Sequence, residues 1–206
     1  MKWKSVLFSD LRNKLGDQIV AAAWKGRGYF RSYVIPANPR TKKQQAHRAV
    51  LAKLVELSKD HVLGDADRKA VWNEEALPYG ISGYNLFVKW GRLSKISVPA
   101  SGSAGSDVTI TYTCGIPISK AGILRYDGST WVIVADKGEL EAGEGKTFVD
   151  ESVPAGTYEY YLADLDVLIE GDSSPQPYQA ITKWEPDETN GVAKEAKITV
   201  SSNGQR

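Results

Sequence analysis

The stretch Val153-Pro154-Ala155-Gly156-Thr157-Tyr158-Glu159-Tyr160-Tyr161 decides the fold. Pro154 and Gly156 favour a turn, and the β-branched and aromatic residues after them favour an extended strand. Turn and strand together suit a corner at which a Tyr hydroxyl bonds back to nearby backbone, and Tyr158 is the candidate. Upstream, residues 108–114 alternate Val, Ile, Tyr and Cys with Thr, while 122–126 and 130–135 flank Asp127-Gly128-Ser129, a hairpin signal. Residues 146–149, 156–164, 167–169, 178–183 and 196–201 continue the series. Short strands at this spacing predict two packed sheets.

Cys114 is the one cysteine, so no intrachain disulfide can cross-link those sheets. This favours an all-β sandwich of immunoglobulin or fibronectin type that is held by packing, with Cys114 as a small buried apolar residue. Domains of this type bind, space or decorate, and the fold alone licenses no one of these roles. The opening Met-Lys-Trp-Lys-Ser-Val-Leu-Phe-Ser-Asp has too short an apolar stretch before Asp10, Arg12 and Lys14 to read as a secretory signal. No apolar run approaches the roughly 20 residues of a membrane-spanning helix, so no membrane partner is expected.

The preceding part of the chain has a different texture. Residues 17–24 and 29–35 read as the two strands of a β-hairpin around Lys25-Gly26-Arg27-Gly28. Pro36 to Arg40 holds the chain extended, and Thr41 with Gln44 offers a capping box for a helix running to about Lys59. Ala46, Val50, Leu51, Leu54 and Leu57 recur at helical spacing. Asp65 caps a second helix that Pro78 ends, and Ser82 caps a third. Trp24, Tyr29, Tyr33, Trp72, Tyr84, Phe87 and Trp90 are expected mainly in the core. The fold class is therefore an α+β N-terminal module, a hairpin with about three helices, followed by the sandwich.

Charge places the expected boundary. Residues 1–95 carry 18 Lys or Arg against 8 Asp or Glu, net +10, and residues 96–206 carry 8 against 17, net −9. The division predicts a basic anchoring module, 1–95, and an acidic sandwich, 96–206, with an anionic partner for the first. Lys25, Arg27, Arg31, Arg40, Lys42, Lys43 and Arg48 fall in the hairpin and first helix and are the candidate partner or phosphate contacts.

No phosphate loop, His-Glu-x-x-His, paired-Cys or Gly-x-Ser-x-Gly motif is present, so no catalytic, cofactor or metal residue is assigned and the chain reads as non-enzymatic. His47 and His61 read as surface or boundary residues. Glu139, Glu141 and Glu144, and Asp164 with Asp166, read as solvated loop carboxylates that lack the spacing of a calcium loop.

Several phrases keep a distinctive order: Lys14-Leu15-Gly16, Trp24-Lys25-Gly26, Arg31-Ser32-Tyr33, Asn38-Pro39-Arg40-Thr41 with Gln45 and Arg48, Val71-Trp72-Asn73, and Ser82-Gly83-Tyr84-Asn85-Leu86-Phe87. In these, residues 14–89 resemble a group of small, mostly uncharacterised proteins encoded in phages and prophage-like regions. The resemblance implies a phage context and no known activity. The resulting expectation is a virion structural protein, assembled in the host cytoplasm. Its basic domain would anchor to a capsid or tail protein, and its sandwich would be exposed in multiple copies as capsid decoration. Nucleic-acid binding through the basic hairpin and helix is the alternative, and a tail-associated structural role is another.

Overall fold

A computed structural model describes residues 13–15, 19–24, 27–34, 38, 40–115, 117–140 and 143–202. The chain divides into two compact units, Met1–Pro39 and Arg40–Arg206.

In the first unit, strands β1 (Asn13–Leu15), β2 (Ile19–Trp24) and β3 (Arg27–Ser32) form an antiparallel sheet in that order. The expected hairpin is present as β2 and β3, paired from Ile19 with Ser32 to Trp24 with Arg27, so Lys25 and Gly26 lie between the strands. Those two residues, and Gly16, Asp17, Ile35, Pro36, Ala37 and Pro39, lie outside the described residues, as do the side chains of Trp24 and Arg27. Tyr29 is exposed rather than in the core, and Tyr33 is half-buried.

The second unit opens with three capped helices. Thr41 Oγ1 accepts from the Gln44 backbone N–H at 3.3 Å, starting α1 (Lys42–His61). At the same end the Gln45 side-chain amide donates to the Arg40 carbonyl at 3.0 Å. Asp65 accepts from Asp67 N–H at 2.7 Å and starts α2 (Ala66–Ala76). A short 3₁₀ turn, Leu77–Tyr79, then holds Pro78. Ser82 accepts from Asn85 N–H at 3.3 Å and starts α3 (Gly83–Leu93). Gly83 permits a close crossing of α2, because a Cβ there would stand 2.5 Å from the Trp72 carbonyl carbon.

The strands that follow are β4 (Lys95–Ser97), β5 (Ser101–Ser103), β6 (Ser106–Cys114), β7 (Ile118–Tyr126), β8 (Trp131–Leu140), β9 (Gly143–Val153) and β10 (Gly156–Asp164). After these come β11 (Ala180–Thr182), β12 (Trp184–Asp187), β13 (Val192–Glu195) and β14 (Lys197–Ser201). One sheet has the order β5-β14-β10-β7-β8 with β11 also on β10, and a second has β4-β6-β9. β5 runs parallel to β14, and β12 with β13 forms a separate hairpin. The arrangement is sandwich-like. Alternate β6 residues Val108, Ile110, Tyr112 and Cys114 are buried, and their partners in the core include Ile123, Tyr160, Leu162 and Ile198 of the larger sheet.

A buried polar brace spans the sheets where no disulfide can. The Arg125 guanidinium of β7 donates to Asp150 Oδ2 of β9 at 2.7 Å, and the Tyr160 hydroxyl of β10 donates to the same oxygen at 2.7 Å. Tyr158, the expected corner tyrosine, lies under Arg125, with its ring centroid 5.2 Å from the guanidinium carbon, and packs against Gly156. The Tyr178 hydroxyl fastens loop backbone, accepting from Ile169 N–H at 2.8 Å and donating to Asp172 at 2.7 Å, and the Tyr126 hydroxyl donates to the Gly128 carbonyl at 2.7 Å. Residues 167–169 therefore form a pinned loop, with Val167 buried, instead of the expected strand.

Contacts and charge divide the chain at different places. The expected boundary lies after Lys95, yet Leu54, Trp72, Leu86, Phe87 and Trp90 of the helices belong to one hydrophobic cluster with the inner residues of both sheets. The helices also close around the segment leading into β11. Trp72 Nε1 donates to the Tyr178 carbonyl at 3.2 Å, and His61 Nδ1 lies 3.2 Å from the Ala180 carbonyl. Surface charge records solvent and partners, whereas the apolar faces of amphipathic helices decide what they pack against.

Candidate interface on the helical face

Each predicted cation can now be placed. Arg31 is exposed on β3 of the first unit, and Lys25 and the Arg27 side chain are outside the described residues. Arg40, just before the N-cap, and Lys42, Lys43 and Arg48 in the first half of α1 are all exposed. Two of these break local rules. Arg40 has φ 45°, a left-handed conformation uncommon for a residue with a Cβ, and Lys42 begins a first turn that contains no acidic residue. Cations there oppose the positive end of the helix dipole.

Lys43 forms an ion pair. Its ammonium lies 3.3 Å from Glu188 in the turn between β12 and β13, and His47 Nε2 lies 3.5 Å from the other Glu188 oxygen. The hydrogen bond and charge of Lys43, with a smaller contribution from His47, hold the Glu188 carboxyl below its usual range. His47 is thus on the surface, as expected.

α1 and α3 enclose a groove of about 470 Å³ lined by His47, Leu51, Asn85, Val88, Lys89, Arg92 and Leu93. Its floor is apolar: Leu51 is 37 % exposed and Leu93 44 %. Lys89 and Arg92, one helical turn apart on α3, are both exposed. The Lys89 ammonium lies 5.6 Å from the centroid of the Tyr79 ring, which steadies it without neutralising it. Apart from His47, whose role was read as bland, none of these lining residues was singled out as a contact. The i, i+3/i+4 recurrence of Asn85, Val88, Lys89 and Arg92 was readable, but the facing position of Leu51 appears only when the helices cross. Glu188 was missed with its hairpin, although Asn190-Gly191 marks the turn.

Two titratable residues depart from their expected settings. His61 is buried, not at the surface, and burial lowers its pKa to about 4 despite the Ala180 carbonyl beside it. Asp164 is 1 % exposed, not a solvated loop carboxylate. Its Oδ1 accepts from Asp166 N–H at 3.0 Å, while its buried Oδ2 has no hydrogen-bond partner. Burial raises its pKa to about 7, with Glu75 and Asp166 adding to the shift and the Asp166 N–H opposing it. Asp166 itself is exposed and accepts from the Ser119 hydroxyl. Among the described residues, no group of three or more His, Cys, Asp or Glu side chains is placed to hold a metal ion. Glu141 and the side chains of Glu139 and Glu144 lie outside the described residues.

No protein-family model matches the chain. No curated protein matches it either. Among solved structures, it is similar to the CARDB domain of a Pyrococcus furiosus protein, described as in complex with di-metal ions. The two share 13 % identity with a TM-score of 0.25, over 53 % of this chain and 92 % of that one. A likeness at this level carries no argument about function.

Proposed function

We propose that this chain is a non-enzymatic structural protein of a phage particle, a capsid decoration or accessory protein that attaches through its cationic helical face. In this reading the sandwich is of immunoglobulin or fibronectin type, is present in multiple copies, and is the exposed part. The observation that supports the reading best is the set of exposed cations on the helices: Arg40 just before α1, Lys42 and Arg48 on α1, and Lys89 and Arg92 edging the groove on α3. Exposed cations at a helix start with no acidic residue in its first turn fit an acidic partner surface, because such a surface offsets their cost to the helix. The ordered phrases shared with phage-encoded proteins give the context.

Quantitative mass spectrometry of purified particles, with heads and tails separated, tests the reading. The chain is expected among the particle proteins in multiple copies and enriched in heads. Enrichment in tails would replace decoration by a tail-associated role. Absence from both fractions would overturn a virion function.

A further inference from the structure

We propose that the α1–α3 groove is a docking site for an acidic, amphipathic segment of the partner protein, with apolar side chains on the floor and carboxylates against Lys89 and Arg92. This deepens the preceding reading by naming what the attachment surface recognises.

The groove has two features that one occupant must satisfy together. Leu51, Val88 and Leu93 offer apolar area in a concavity, and covering it with other apolar groups removes that area from water. Lys89 and Arg92 lie one helical turn apart on the same side, so carboxylates at matching spacing on a helical segment could engage both. The lining runs from Asn85 to Leu93, roughly 12 Å of helix, enough to contact about two turns of a bound helix.

The opposite rim has a different charge. There Glu188 stands against His47 and Lys43, so the positive charge on that part of the rim is already matched. This asymmetry orients the incoming segment with its acidic face toward α3. The same geometry disfavours nucleic acid. Duplex phosphates gain nothing from a leucine floor, and single strands need aromatic platforms that this lining lacks.

The test is an NMR titration of the full chain with a synthetic helical peptide of about 12 residues, Leu at i, i+3, i+4 and i+7 and Glu at most other positions. A peptide of equal charge with Ser replacing Leu and a short DNA duplex serve as comparisons. The Leu peptide is expected to shift the resonances of Leu51, Val88, Lys89, Arg92 and Leu93. Its affinity should fall about tenfold in Leu51→Asp and in Lys89→Glu/Arg92→Glu, and by a similar factor for the Ser peptide. All three substituted residues are exposed, so unchanged melting temperatures are expected of the variants. Equal binding of both peptides, shifts scattered away from the groove, no shifts at millimolar peptide, or stronger perturbation of these residues by DNA would each overturn the proposal. The titration needs no particle, so its failure is distinct from failure of the virion reading.

Discussion

Trp72 in α2 donates its indole N–H to the backbone carbonyl of Tyr178 at 3.2 Å, joining the helical layer to the segment that leads into β11. Trp72 is fully buried and meets Phe87 edge-on at 5.3 Å between ring centroids. Helices and strands should therefore unfold together. Trp72→Ala is expected to cost about 3–5 kcal/mol, measured by urea denaturation, and to shift helical and near-ultraviolet signals in one transition. A fragment ending at Lys95 should lack native helix packing, because Leu54, Trp72 and Phe87 would lose the strand side chains that cover them. A stably folded fragment 1–95 would contradict this.

The brace of Arg125, Asp150 and Tyr160 makes a second prediction. Asp150→Asn removes the charge facing a mostly buried guanidinium and should cost about 3 kcal/mol. Tyr160→Phe removes one hydrogen bond and should cost about 1–2 kcal/mol. Replacing the pair by Arg125→Met with Asp150→Leu should cost less than Asp150→Asn alone, since it leaves no buried charge unpaired. Denaturant melts of the three variants check the order.

Asp164 and His61 titrate in opposite senses. The folded state keeps a proton on Asp164 up to about pH 7, whereas the unfolded chain releases it near its ordinary value of 3.8. That contribution favours folding below the unfolded value and is lost as pH rises through the folded one. For His61 the unfolded chain takes up a proton near 6.5, while the folded state refuses it until about 4. Its contribution is present above 6.5 and is lost as pH falls toward 4. The two slopes nearly cancel across that interval. Relative to wild type, Asp164→Asn should therefore gain about 3 kcal/mol in unfolding free energy between roughly pH 4.5 and pH 8. His61→Gln should change in the other sense, gaining relative to wild type as pH falls. Parallel stability-against-pH curves for wild type and Asp164→Asn would contradict this account.

Glu188 provides a change of opposite sign to those at the groove cations. Glu188→Gln releases Lys43 and His47 from their carboxylate and should leave stability little changed, because the pair is exposed. Binding of the acidic peptide should strengthen severalfold and become more salt-sensitive, which a titration at two ionic strengths would show.

The helices were legible because Thr41, Asp65 and Ser82 each precede an apolar periodicity and each accepts a capping hydrogen bond in the structure. Strand β10 was legible from its turn and aromatic run, and its bounds match those expected. The hairpin β12–β13 was not, because Pro186 in β12 weakens the strand pattern and is tolerated here only in a two-stranded ribbon. Residues 167–169 form an apolar run that is buried without pairing, a distinction that depends on Tyr178 reaching back to Ile169. Asp60 beside His61, and Asp166 beside Asp164, suggest a solvated surface, but each buried residue also adjoins buried apolar ones, Val62 for His61 and Ala163 with Leu165 for Asp164. The cations of α1 were readable one by one. The groove was not, since Leu51 and Leu93 come together only through the crossing of α1 and α3.

Co-sedimentation of the full chain with assembled heads, with tails and with duplex DNA, at low and physiological salt, tests the central claim most directly. Wild type is expected to pellet with particles, less so as salt rises, while Arg40→Ala/Lys42→Ala/Arg48→Ala and Lys89→Glu/Arg92→Glu stay in the supernatant although circular dichroism shows them folded. Wild type remaining in the supernatant with every particle fraction at both salts, or pelleting as firmly with DNA alone, would contradict attachment through this face to an acidic particle surface.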